Sequence, residues 1–177
     1  LNSEKNYRLN KRFYEQDALE VAPALLGKIL VTKKNKKPEK YIITEVEIYR
    51  GEEDEACHAK KGKTKRNEIM YRSGGYLYIY LIYGMYWMLN IVTGKAGYPQ
   101  AVLIRGLEGL EGPGKVTRCL GINKSYYGEN LAASHRIWIE NSNENARYIT
   151  LKRIGIDYAG EYWKNKLWRF VLNNKNC

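Results

Sequence analysis

Residues 44–49 read TEVEIY, with two carboxylates placed two positions apart. In an extended strand, successive side chains point to opposite faces. Glu45, Glu47 and Tyr49 therefore share one face, and Thr44, Val46 and Ile48 share the other. The apolar set belongs in a core. The polar set either meets solvent and does no chemistry, or lines a cleft. In a cleft, partial desolvation raises a carboxylate's pKa and poises it as a general base. The strand pattern alone leaves both readings open. A further reading has Glu45 and Glu47 acting as a carboxylate pair on a sugar, with Cα atoms about 6.5–7 Å apart. A neutral sugar polymer, however, gives no reason for the charge of this chain.

That charge is +11, from 30 Lys and Arg against 19 Asp and Glu, and the chain holds 16 Tyr beside 2 Phe. Basic side chains release counterions from phosphates, and phenol rings stack on bases, so the combination suits a nucleic acid. A generally basic proteome would account for the charge taken alone. After His58, residues 60–66 hold Lys60, Lys61, Lys63, Lys65 and Arg66 around Gly62, either as a phosphate-contacting loop or as a solvated charged one. Residues 76–90, YLYIYLIYGMYWMLN, place Tyr76, Tyr78 and Tyr80 on one strand face and Tyr83 and Met85 around Gly84 at a hairpin tip. Large apolar groups at a tip have no core to enter. They either pack on a neighbouring surface or insert into a partner, which for a basic protein means a base step.

These groups need elements to hold them. Helical spacing runs over residues 17–26, with Leu19, Val21 and Leu25 on the apolar stripe and Pro23 placed to kink or split it. Strands are predicted at residues 28–33, 41–49, 76–82, 86–92, 101–107, 137–140, 149–154 and 168–172. A turn is expected at 33–39 and a helix opening at 114–120. Residues 50–75 are aperiodic and read as a long ordered loop with one helical turn near 66–71, and loops of that length are usually functional. Strands outnumber helices and fall mostly in hairpins. The expected class is α+β: a single domain over residues 1–177 with a curved, largely antiparallel sheet, peripheral helices and a protruding β-hairpin. A chain of 177 residues buries enough surface to fold without staples. Cys57, Cys119 and Cys177 are odd in number and widely spaced, which reads as reduced thiols and no zinc site. No signal peptide or spanning segment is read, so no membrane association is expected.

The ordered blocks ITEVEIYRGEEDEACHA, TKRNEIMY, LYIYLIYGMYWMLNIV, AVLIRGLEGLEGPGK, CLGINKS and RIGIDYAGEYWKNKLWRF together resemble the alkyladenine (3-methyladenine) DNA glycosylase family, from about residue 12 to residue 172. The resemblance implies an intracellular base-excision repair enzyme, cytoplasmic in a bacterium or nuclear in a eukaryote, and a monomer. Its partner would be double-stranded DNA carrying damaged purines. It would work by one-step hydrolysis without metal, cofactor or Schiff base, leaving an abasic site. By similarity, Glu47 takes the place of the general base that activates water, and Arg105 that of the arginine helping to hold that water. Tyr49, His58 and Tyr80 match residues that grip the flipped base, and Asn90 matches a pocket-floor residue that discriminates against the guanine amino group. Tyr83 matches an intercalating tyrosine, with Met85 beside it. Lys115 and Lys124 fall in motifs near the DNA-facing side. Ile48 stands where a mammalian relative has alanine, and is expected beside the base, narrowing the pocket. Leu110-Glu111 runs directly into Gly112-Pro113 where relatives carry a longer segment. The retained Glu47 and Arg105 argue against the competing reading, a non-catalytic binder of damaged DNA or structured RNA.

Overall fold

The computed structural model describes residues 7–34, 37–142 and 146–173. In chain order these form α1 (Lys11–Tyr14), α2 (Ala18–Leu25), β1 (Ile29–Lys34), β2 (Lys37–Arg50), β3 (Leu77–Ile82), β4 (Tyr86–Val92), β5 (Gln100–Leu107), β6 (Leu110–Glu111), α3 (Pro113–Leu120), β7 (Ile137–Glu140), β8 (Tyr148–Leu151), α4 (Gly160–Lys164) and β9 (Arg169–Leu172). Strand pairing is antiparallel throughout, in an open sheet of order β3-β4-β5-β2-β1-β7, with β6 on β5 and β9 joining β8 to β2. The α+β class and the hairpin-rich sheet are therefore those the sequence implied.

β2 organises the molecule. Its first half pairs with β1, and its second half pairs with β5 and β9 at once, with a register shift near Glu45. Glu47 thus sits on an interior stretch of strand, opposite Leu103 of β5 and Arg169 of β9. Alternation then separates two environments. Val46, Ile48, Ile79, Leu89, Ile91, Val102 and Ile104 enter the main core, together with α2 and α3. The opposite face presents Tyr78, Tyr80, Asn90, Leu103 and Arg105, and it becomes the wall of a cavity.

Several expectations change in detail. Pro23 does not split α2, which runs unbroken through it to Leu25. The buried stripe is Ala18, Val21, Ala22 and Leu25, and Leu19 faces solvent. The turn expected at 33–39 is mostly strand. Lys34 pairs with Lys37, and the intervening residues 35–36 lie outside the described ones, as does Cys177. The strand expected at 149–154 stops at Leu151, because Arg153 and Ile154 leave the ladder for partners at the site. Asp157–Ala159 and α4 are helical turns that the aperiodic sequence did not announce.

The segment between β2 and β3 is ordered by short polar staples. Buried Asn67 donates from Nδ2 to the carbonyls of His58 (2.9 Å) and Gly62 (3.0 Å), which ties down the basic stretch. Two 3-10 turns, His58–Lys61 and Glu68–Tyr71, bracket it. The helical turn expected near 66–71 is present, and the one opening at His58 is additional.

Candidate active site

Glu47 is fully buried. Its Oε1 accepts the backbone N–H of Ile154 (2.8 Å), and its Oε2 accepts the Tyr49 hydroxyl (3.0 Å) and Arg105 Nη1 (3.4 Å). An ionised carboxylate has about four acceptor positions, so these donors leave one on Oε1 unused by protein groups among the described residues. Burial raises the Glu47 pKa above its ordinary value. Arg105, the Ile154 N–H and the Tyr49 hydroxyl oppose that rise, and Glu45 adds to it. Glu45 differs from Glu47 in being clasped by two arginines, Arg105 (3.2 Å) and Arg169 (3.0 Å).

Above Glu47 lies a cavity of about 480 Å³. Tyr49, His58, Tyr80, Asn90, Arg105 and Tyr83, each singled out in the sequence, all line it. Glu47 itself does not: it stands behind the wall formed by its partners Tyr49, Arg105 and Ile154. The cavity sits where the sheet's second face meets the 50–75 loop on one side and residues 154–158 on another, with α3's first turn contributing Pro113, Gly114 and Lys115. Gly114 is required there, since a Cβ would come within 2.7 Å of the Tyr86 ring.

One end of the cavity is aromatic. His58 and Tyr80 meet edge to face at 4.4 Å between centroids, Tyr78 lies 5.2 Å from Tyr80, and the Arg66 guanidinium stands 5.6 Å from the Tyr80 ring centre. His58 Nδ1 shares a 2.8 Å hydrogen bond with the Tyr78 hydroxyl. Although part of His58 is open to the cavity, the enclosing rings and the nearby Arg66 cation push its pKa down to about 4. The imidazole is neutral at pH 7, and burial likewise holds Tyr49 and Tyr80 as neutral phenols. The result is a slot of neutral, electron-rich rings with the Arg66 cation at its edge, suited to a flat purine ring. Asn90 is held at the floor by bonds from Nδ2 to the carbonyls of Tyr78 (3.1 Å) and Met88 (3.4 Å), which commits its donor group to the backbone.

The β3–β4 hairpin ends beside the cavity mouth. Tyr83 and Gly84 both have positive φ (52° and 66°), as a type I′ turn demands, and Met85 N–H closes the turn on the Ile82 carbonyl. Tyrosine in that region costs about 1–2 kcal/mol relative to relaxed backbone. Tyr83 is nevertheless 81% exposed and Met85 67%. Tyr83 reaches the cavity, whereas Met85 does not line it.

Some expectations are revised. Ile48 does not adjoin the pocket: alternation turns it into the core across from Val102, so its bulk is spent on packing. Lys115 lines the cavity, whereas Lys124 sits exposed in a 3-10 turn apart from it. Tyr78, between Tyr76 and Tyr80 on one strand face, also lines the cavity, a place its pattern alone does not assign. Ile154, Gly155, Ile156 and Tyr158 complete the wall from a segment without periodicity and so without a signal in the sequence. No cluster of three or more His, Cys, Asp or Glu side chains suited to a metal ion occurs among the described residues, and no helix there is long and apolar enough to cross a membrane.

The sequence model of methylpurine-DNA glycosylase (MPG) matches residues 12–111 and 108–176. The two stretches overlap where Leu107 pairs with Leu110 across a tight turn. Relatives named "Putative 3-methyladenine DNA glycosylase" come from Natranaerobius thermophilus (39% identical, covering 94% of this chain and 96% of the relative), Ehrlichia ruminantium (42%, 93% and 88%) and Sodalis glossinidius (43%, 93% and 96%).

Proposed function

Since this chain belongs to the methylpurine-DNA glycosylase family, we propose that it excises alkylated purines from duplex DNA by hydrolysing the N-glycosidic bond, with Glu47 as the general base. The observation that carries this reading is the setting of Glu47: a fully buried carboxylate behind a tyrosine-rich cavity, held by three donors with one acceptor position spare. Burial supplies basicity, and Arg105 keeps the ionised form accessible near neutral pH.

Excision begins when the damaged nucleotide leaves the stack. Tyr83, prepaid in backbone strain and exposed at the hairpin tip, fills the vacated step. The extruded base enters between Tyr49, His58 and Tyr80. Their neutral rings attract a purine made cationic by alkylation, and that charge already makes the base a better leaving group. Asn90 at the floor, its amide NH₂ committed to carbonyls, reads the edge of the base. Glu47 accepts a proton from water as the water attacks the sugar carbon, and Arg105 orients the carboxylate and the incoming water. The chain carries out one hydrolytic step, releases the free base and leaves an abasic site without cutting the strand. Deaminated bases such as hypoxanthine are neutral and need help in departing, so they are slower substrates than cationic ones.

The test uses duplex oligonucleotides carrying one 3-methyladenine, ethenoadenine or hypoxanthine, incubated with protein and then cleaved at abasic sites with alkali. Strand breaks that appear with wild type and vanish with Glu47→Gln support the reading. Damage-specific binding without base release would replace it with that of a non-catalytic binder.

A further inference from the structure

Arg153 and Asp54 form a fully buried ion pair with bonds of 2.6 and 2.9 Å. Neither side chain lines the cavity. Burying two charges is costly and is a weak way to gain stability, so their contacts matter. Arg153 Nη1 also donates to the Ile48 carbonyl (2.9 Å), one residue from Glu47, and Nη2 reaches the Trp163 carbonyl (3.3 Å). The guanidinium lies 5.1 Å from the ring centres of both Tyr49 and Trp168. On the other side, Asp54 accepts the backbone N–H groups of Arg50 (3.3 Å) and Ala56 (3.0 Å), and its carbonyl accepts that of Cys57. The pair thus ties together the strand carrying Glu47, the loop leading to His58, and the segment whose next residue, Ile154, donates to Glu47 Oε1 (2.8 Å).

We infer that Arg153 and Asp54 are positioning residues: their clasp sets the Ile154 N–H against Glu47 and holds the base-binding loop in register with that carboxylate. Ile154 is itself exposed and follows the end of β8, so nothing in the sheet ladder fixes its amide. The groups facing Glu47 are Arg105, Tyr49, Glu45 and this amide. Arg105 has its own anchor in Glu45. Loosening the clasp therefore removes one defined donor, and the proton affinity of Glu47 rises in response. The inference deepens the proposed function and rests on it for the reaction itself.

Arg153→Lys keeps the charge but gives up the two-pronged grip on Asp54. Excision of one 3-methyladenine from a duplex at saturating protein should slow by about 10–100-fold, with duplex affinity within about threefold of wild type. The acid limb of the rate profile should move to higher pH. Independently of activity, ¹³C NMR of the Glu47 carboxyl should show its titration shifted upward. If Arg153→Lys does not fold, the apolar pair Arg153→Met with Asp54→Leu removes both charges together, a change buried ion pairs tolerate better than loss of one partner, and the same upward shift is expected. In wild type, the Ile154 amide proton should titrate with Glu47. A Glu47 titration unmoved by the variants, an Ile154 amide that does not follow it, or slowing that merely tracks the unfolded fraction would overturn the inference. A wild-type protein that releases no base would instead count against the proposed function and leave the Glu47 titration readable.

Discussion

At the scale of the residue, the chemistry rests on a carboxylate whose charge is expensive to keep. Burial raises the folded-state pKa of Glu47 and outweighs the three donors that oppose it. The folded state therefore binds the Glu47 proton more tightly than the unfolded chain does. That stabilisation is present below the unfolded value and is lost as pH rises through the raised one. Glu47→Gln, neutral at every pH, should melt higher than wild type at neutral pH and lose that advantage in acid, as differential scanning calorimetry would show. Arg105 acts in the opposite sense: Arg105→Gln removes a cation that lowers the Glu47 pKa, so the acid limb of excision should shift to higher pH, readable in single-turnover rates. The pairing of Glu47 with Arg105 at the cavity was legible because the family blocks carry both residues. Arg153 and Ile154 were not, since their role depends on a strand that ends early to bring an amide to a residue 107 positions away. Ile48 shows the converse. The resemblance to a mammalian relative with alanine there suggested the pocket, but strand alternation, already visible in TEVEIY, sends it to the core.

At the scale of the element, the β3–β4 hairpin carries the clearest division between fold and function. Tyr83 holds a left-handed backbone that glycine would adopt without strain. Tyr83→Gly should leave stability within about 1 kcal/mol of wild type, strain relief offsetting the greater chain entropy of glycine. Excision from duplex should nevertheless fall, and more steeply than from single strands, where no stacked gap needs filling. Parallel rates on the two substrates with Tyr83→Ala and Tyr83→Gly check this, and equal losses would remove the wedge role. The hairpins were readable because period-two alternation and the Tyr-Gly tip are local signals. The wall built from residues 154–158 was not. It has no period and is held by partners distant in the sequence, Asp54 for Arg153 and Glu47 for Ile154, which no local pattern encodes.

At the scale of the whole molecule, part of the excess positive charge of +11 lies on the segments that build the cavity. Lys60, Lys61, Lys63, Lys65 and Arg66 are exposed on the loop that delivers His58, and Lys115 stands at the cavity where α3 begins. Cations on two sides of the mouth suit a duplex laid across it. Duplex affinity should therefore fall steeply with salt, by a slope of about 0.9 per phosphate neutralised. Lys61→Gln with Lys65→Gln should flatten that slope and weaken damaged and undamaged duplex alike, as fluorescence anisotropy over a salt series would read. Composition announced the polyanion. It did not announce the side of the molecule, because a basic loop gains a direction only when Asn67 staples it beside the cavity.

The central claim is that the buried Glu47 carboxylate performs hydrolysis in the cavity above it, and single-turnover excision of one 3-methyladenine from a duplex, wild type against Glu47→Gln, tests it most directly. The account predicts base release by wild type and a loss of about 10²–10⁴-fold in the variant, with damaged-duplex binding retained. Equal rates in the two proteins would contradict it.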